Sequence, residues 1–304
     1  MLQFLLLALA FVLIALVSGN NLSACTGAII SSGITSKRAG ILIAILGIVA
    51  GLVLQGSFLE KGIEAVMPIS SSRLLLEIFV VAIAVFLLAD RFRVPLSLTI
   101  VFTSLLAGIG FGLNTHVNLE FLFLIGAFWI AAPLASLLLM PVPLRLLTRM
   151  LNKGSIWGKV HAIKISLVVV SFLTSFTLGA NTIGLLYSSI PAYAAYRLAV
   201  SILAVIVGSV FISRGELKRI GEEIVTLRYI NAAISQLVSA VEVEIATLFG
   251  VPLSNTQTFT ASLYGLGYGY KARLMRKKPA YVILSIWFAS AVLSFVLAFL
   301  LAKL

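Results

Sequence analysis

Apolar positions along this chain gather into long unbroken runs, not into the alternation of a half-buried strand or the single stripe of a soluble helix. The runs lie near 2–18, 39–56, 74–89, 94–113, 119–140, 162–178, 192–212, 229–249, 251–269 and 279–302. A hydrocarbon core of ~30 Å takes roughly 20 apolar residues in helix. The pattern therefore predicts an all-α, polytopic membrane protein of about ten transmembrane segments, one per run. Two runs, 94–113 and 251–269, are interrupted by Pro, Ser, Thr and spaced Gly, which suits re-entrant hairpins as well as spans. The first run, Leu2 to Val17, has no basic leader and is followed by many further spans, so it reads as a mature membrane segment and not a signal peptide.

The two interrupted runs are copies of one another. VPLSLTIVFTSLLAGIGFG, Val94 to Gly112, aligns without gaps to VPLSNTQTFTASLYGLGYG, Val251 to Gly269, with 11 of 19 positions identical. Shared apolar character would not reproduce Pro95 with Pro252, Ser97 with Ser254, Thr99 with Thr256, and Gly108, Gly110 and Gly112 with Gly265, Gly267 and Gly269. Each half of the chain holds an odd number of runs, so the second half starts on the opposite membrane face. The expected organisation is two inverted repeats with discontinuous or re-entrant helices: an N-terminal membrane repeat over 1–143, a cytoplasmic linker over 144–160 and a C-terminal membrane repeat over 161–304. Many secondary transporters are built this way, with the substrate near the bilayer midplane where the repeats meet.

Composition agrees: 61% of residues are hydrophobic, 11% are charged and mean hydropathy is +1.15, too little polar surface to clothe a soluble globule. The net charge of +12 falls between apolar runs and not along one stripe, so nucleic acid is not an expected partner. Assigning loops alternately to two sides divides the 22 basic residues as 18 against 3, with Arg197 inside a span. The basic side is then cytoplasmic, and both termini of this multi-pass cell-membrane protein lie outside. A lone cysteine, Cys25, precludes a disulfide framework within the chain. His116 and His161 fall in expected loops, and no metal-ligand cluster, nucleophile elbow or Gly-rich phosphate loop appears, so neither an enzyme nor a cofactor is expected.

Polar groups at membrane depth carry the candidate chemistry. In SGNNLSACTGA, Ser18 to Ala28, a Gly-Asn cluster should break the helix and start a half-helix over Leu22 to Ile34. LGANTIGLLYSSIP, Leu178 to Pro191, is its counterpart, with Asn181 matching Asn20. Amides and freed backbone N–H groups can replace the water shell of an ion, and a helix N-terminus favours an anion. Pro95 and Pro252 suit a first helical turn, which puts Ser97, Thr99, Ser254, Asn255, Thr256 and Gln257 where donors and dipole converge. The downstream glycines allow close helix packing. Intramembrane carboxylates are costly and default to functional candidates: Glu77, Glu242 and Glu244. Ser213 to Tyr229 reads as an amphipathic surface connector.

Together, the paired Gly-Asn breaks and paired VPLS segments resemble the inorganic phosphate transporter (PiT) family of cation-coupled symporters across nearly the whole chain. Its pattern GANDVANAxG becomes SGNNLSACTG and GANTIGLLYS here, and PxSTTHxxxG becomes PLSLTIVFTS and PLSNTQTFTA. The resemblance implies substrate or ion contacts from Asn20, Asn181, Ser97, Thr99, Ser254, Asn255 and Thr256. Asn21 and Thr182 stand at the family's aspartates, Ile100 and Gln257 at its histidine, and Asn21, Thr182 and Gln257 join the seven as expected substrate contacts. It further implies symport of inorganic phosphate, coupled to sodium or protons, with Ser23, Glu242 and Glu244 as candidates for the coupling ion. The missing aspartates leave proton coupling, and sulfate as the anion, open beside sodium and phosphate. An anion channel or an intramembrane enzyme is a remoter expectation. A homodimer is one assembly the sequence permits.

Overall fold

The structure is a computed structural model describing residues 2–66, 72–92, 96–143, 145–146, 155–212, 229–269 and 278–304. Regular structure among them is entirely helical. The first half contributes α1 (Leu2–Ser31), α2 (Lys37–Gln55), α3 (Phe58–Val66), α4 (Ser72–Arg91), α5 (Leu98–Gly112) and α6 (Leu119–Leu139). The second contributes α7 (Ile156–Thr177), a π-helical turn (Leu178–Ile183), α8 (Gly184–Ser188), α9 (Ala194–Phe211), α10 (Tyr229–Leu248), α11 (Asn255–Gly269) and α12 (Lys278–Leu301). Polar side chains start several of them: Ser36, Asn118 and Ser155 accept from the N–H of Ala39, Phe121 and Gly158, satisfying donors that the helix itself leaves free.

Seven helices among the described residues are long and apolar enough to cross a membrane. The 20-residue α10 carries Glu242 and Glu244 and accounts for the run at 229–249. The duplicated runs form α5 and α11, 15 residues each, or ~22 Å at 1.5 Å per residue. Neither can cross a ~30 Å core by itself.

Two expectations about helix breaks are corrected. α1 continues through Ser18–Asn21 without interruption, because the polar side chains fold back on their own helix: Ser18 Oγ donates to Ile14 O (2.8 Å) and Asn21 Nδ2 to Val17 O (2.9 Å). In the second half the Gly-Asn cluster widens into a π turn, and the helical path from Trp157 to Ser188 remains continuous. α7 starts at Ile156, inside the expected 144–160 linker, so His161 lies on a helix and not in a loop. Pro95 and the connector segment 213–228 lie outside the described residues.

The long helices show how the two copies are disposed. Near the start of α12, Ile283 and Trp287 pack with Phe259, Leu263 and Tyr264 of α11. Near its end, Phe295 O closes on Gly108, and a Cβ at Gly112 would lie 2.5 Å from Ala302 Cβ, both on α5. On α6, Trp129 sits at the entry to α11 and Leu137 O closes on Gly265 near the end of α11, while Val117, just before α6, touches Gly110 of α5. α5 and α11 thus run from one shared level toward opposite ends of α6 and of α12. Glycines at equivalent repeat positions, Gly108 and Gly265, make the equivalent approach to α12 and α6. The same exchange recurs elsewhere: α1 packs on α9 at Gly19 and Gly208, and α2 packs on α7 and the π turn at Gly47, Gly51 and Gly179.

Candidate functional site

At the shared level the two short helices meet start to start. Ser97 caps α5, its Oγ accepting from Ile100 N (3.4 Å), and Ser254 caps α11, its Oγ accepting from Gln257 N (3.3 Å). Ser97 Oγ then donates to Ser254 Oγ at 2.7 Å, with both residues 2% exposed. In the first turn of α5, Thr99 shares a 3.4 Å hydroxyl contact with Thr182 on the π turn. These groups border a cavity lined by Asn20, Asn21, Ser97, Thr99, Thr182, Ser254, Asn255 and Thr256 together with Phe86, Leu96 and Leu98. The space is tight, ≈ 20 Å³, about one water.

Helix geometry fixes the character of this cavity. The first N–H groups of a helix have no partner within it, and at α5 and α11 they belong to Leu98, Thr99, Asn255 and Thr256, which all line the cavity. Two helix dipoles direct their positive ends at one point. No lining residue carries a charge, so the field there is set by N–H and O–H donors and favours an anion with several acceptor oxygens.

Neighbouring elements orient the donors. Ser239 of α10 donates to Asn255 Oδ1 at 2.7 Å, which occupies the amide oxygen and leaves the amide N–H groups for the cavity. Asn21 is oriented the other way: its Nδ2 is drawn to Val17 O, so Oδ1 is the acceptor it offers. Trp129 Nε1 holds Pro252 O at 2.9 Å and secures the approach to α11.

Eight of the ten residues anticipated as substrate contacts come together here. Asn181 does not. Its amide is wholly buried and bonds Thr247 Oγ1 (2.9 Å), Val251 O (3.0 Å) and Leu253 N (3.0 Å), tying the π turn to the segment that leads into α11. The π turn rotates Asn181 away and leaves Thr182 at the cavity. Gln257, buried one residue past Thr256, faces an apolar groove between α6, α11 and α12. Ser23, Glu242 and Glu244 do not line the cavity; Ser136 Oγ donates to Glu242 Oε2 (2.5 Å) and Gln55 Nε2 to Glu244 Oε1 (2.6 Å). Glu77 pairs with Arg73 at the start of α4. Arg197 pairs with Glu60 and lies over the Tyr187 ring. Among the described residues no cluster of three His, Cys, Asp or Glu offers a metal site. Ser239, Trp129 and Thr247 carry no mark in the sequence, because their partners Asn255, Pro252 and Asn181 lie on other elements.

Comparison with known proteins places this geometry. The model of a family described as the phosphate transporter family matches residues 17–298. A candidate phosphate permease of Methanocaldococcus jannaschii is 23% identical over 98% of this chain and 96% of its own length. The sulfate permease CysP of Bacillus subtilis is also 23% identical, over 90% of this chain and 79% of its own. A solved structure described as the sodium-dependent phosphate transporter superposes with a TM-score of 0.81 over 99% of both chains at 16% identity, which is a likeness of fold.

Proposed function

The chain belongs to the phosphate transporter family, and on that premise we propose that it is a symporter that carries inorganic phosphate across the cell membrane by alternating access, driven by sodium or protons. The observation that carries this reading is the meeting of α5 and α11 at Ser97 and Ser254, which aims two sets of helix N-terminal donors at one small cavity. A tetrahedral oxyanion can exchange its water shell for N–H and O–H groups there. The opposite courses of α5 and α11 along α6 and α12 support two inverted halves moving against each other about a fixed site. In this reading the basic loops are cytoplasmic and both termini are outside.

Sulfate is the second reading, favoured by the absence of charge around the cavity and by the likeness to a sulfate permease. One feature of the cavity separates the anions. Phosphate near neutral pH carries an O–H that needs an acceptor, whereas sulfate carries none, and Asn21 Oδ1 supplies such an acceptor. Uptake of labelled phosphate and sulfate into proteoliposomes under imposed sodium or proton gradients tests the proposal. A symporter concentrates its anion saturably above electrochemical equilibrium, a channel only relaxes toward it, and the absence of saturable accumulation of either anion overturns the reading.

A further inference from the structure

Away from the cavity, the end of α2 and the last turns of α10 meet through Gln55 and Glu244. Gln55 Nε2 donates to Glu244 Oε1 at 2.6 Å. The two remaining oxygens, Gln55 Oε1 and Glu244 Oε2, are both buried, and neither has a hydrogen-bond partner among the described residues. A buried acceptor without a donor on each partner of the same hydrogen bond is costly, the more so at membrane depth, where a bare carboxylate is expensive.

Among the described residues no basic group pairs with the carboxylate. The elements packed on α10 are α1, α3, α6, α7, the π turn and α11, with α2 meeting it at Gln55; α2 carries Lys37 and Arg38 at its opposite end. The π turn has no titratable residue; Cys25 lies on α1, Glu120 on α6, and Tyr264 and Tyr268 on α11. α3 carries Glu60, Lys61 and Glu64, and α7 carries Lys159, His161 and Lys164. The ion pairs among the described residues are Arg73–Glu77 and Arg197–Glu60, so Glu244 has none. On its own helix, Glu242 is held by Ser136.

We propose that Gln55 and Glu244 form a proton-binding site, in which Glu244 carries a proton on Oε2 and gives it to Gln55 Oε1, closing a two-bond ring between carboxylic acid and amide. One proton satisfies both orphaned oxygens. Exchanging the amide oxygen and nitrogen of Gln55 would set two acceptors 2.6 Å apart and would demand that proton all the more. A hard metal cation wants about six or more oxygens around it; this pair offers two.

The site is joined to the cavity through packed groups. Thr247, one turn beyond Glu244, accepts from Asn181, whose amide also holds Val251 O and Leu253 N immediately before Ser254. Gly56, next to Gln55, accepts from Ser188 and touches Gly184 at the end of the π turn that carries Thr182. Releasing the proton leaves a carboxylate facing an amide oxygen and loosens the clamp between α2 and α10 on either side of that turn. Proton occupancy and the shape of the cavity are thereby linked. This inference rests on the transport reading for the use made of the proton, not for its binding.

The test uses the intact protein in proteoliposomes, with external pH fixed so that external phosphate keeps one speciation while internal pH is raised. Wild-type protein accumulates labelled phosphate or sulfate in response. Glu244→Gln keeps an amide edge able to pair with Gln55 but holds no exchangeable acid; it retains anion counterflow, and its driven and undriven uptake become equal. Undiminished stimulation in that variant, or wild-type accumulation that follows sodium and ignores pH, overturns the inference while leaving transport intact; no uptake of either anion by wild-type protein overturns the transport reading instead. Infrared difference spectra with isotope-labelled glutamate give a measure independent of that variant's folding: a protonated carboxyl band in wild-type protein shifts in Gln55→Leu. An unshifted band, or no protonated band at neutral pH, overturns the assignment.

Discussion

Ser97 Oγ donates to Ser254 Oγ across 2.7 Å, joining the caps of two helices that start 157 residues apart in the chain. Each hydroxyl also accepts from the N–H three residues on. One proton therefore lies between the two serines, and the Ser254 O–H remains to donate to an anion held between the helices.

Removing that donor affects the anion more than the fold. Ser254→Ala costs roughly 1 kcal/mol of cap stability, whereas losing a hydrogen bond to a charged ligand costs about 1.5–3 kcal/mol. Half-saturation for anion uptake should rise ~10- to 100-fold, with expression and thermal midpoint little changed. Because Ser97 and Ser254 share one bond, the Ser97→Ala/Ser254→Ala double variant should lose less than the sum of the single losses. Simple additivity in uptake kinetics would argue against the shared arrangement.

Asn181 and Thr182 are neighbours with separable roles. Asn181→Ala leaves Leu253 N without its buried acceptor and removes two donated bonds, so scanning fluorimetry should show a clear fall in thermal midpoint. Thr182→Val keeps the shape of the chain at the cavity and should lower anion affinity while the midpoint holds. The reverse pattern would put Asn181, not Thr182, at the anion.

Ser239 acts through another residue. Ser239→Ala frees Asn255 Oδ1, lets the amide turn its oxygen toward the cavity, and should weaken anion uptake by roughly 1 kcal/mol, the scale of one hydrogen bond. Ser239→Thr keeps the hydroxyl and should restore uptake. Failure of that rescue despite normal folding would remove Ser239 from the account.

Asn21 separates the two anions. Asn21→Leu removes the acceptor oxygen offered beside the cavity and should raise half-saturation for phosphate more than for sulfate, measured by competition uptake in one preparation. An equal effect on both would show that Asn21 does not read the proton of phosphate.

Gly108 and Gly265 carry the packing of the short helices. A Cβ at Gly265 would come 2.5 Å from Leu137 O, while at Gly126 it meets nothing within 4 Å. Gly265→Ala should reduce folded yield in size-exclusion profiles, and Gly126→Ala should not.

The pattern of apolar runs and the repeated VPLS segment made the helical membrane fold and the equivalence of Ser97 and Ser254 legible in the sequence, since burial and duplication both leave local marks; the shortness of α5 and α11 was not, because both runs are apolar enough to read as spans or re-entrant hairpins. The continuity of α1 was not legible: Asn21 and Ser18 look like helix breakers until their side chains are seen bonding to Val17 and Ile14 on the same helix. The turning of Asn181 away from the cavity depends on a π turn and on Thr247 and Leu253 of distant segments. Gln55 escaped notice for the same reason, because its partner Glu244 lies 189 residues further along.

The most direct measurement is equilibrium binding of phosphate and sulfate to purified wild-type protein and to the Ser97→Ala/Ser254→Ala variant, with Gly126→Ala as the control for handling. Saturable binding by wild-type and control, greatly weakened in the serine variant with the thermal midpoint lowered only by the loss of the two caps, is the result expected if two opposed helix starts hold the anion. Equal affinity in all three proteins would contradict it.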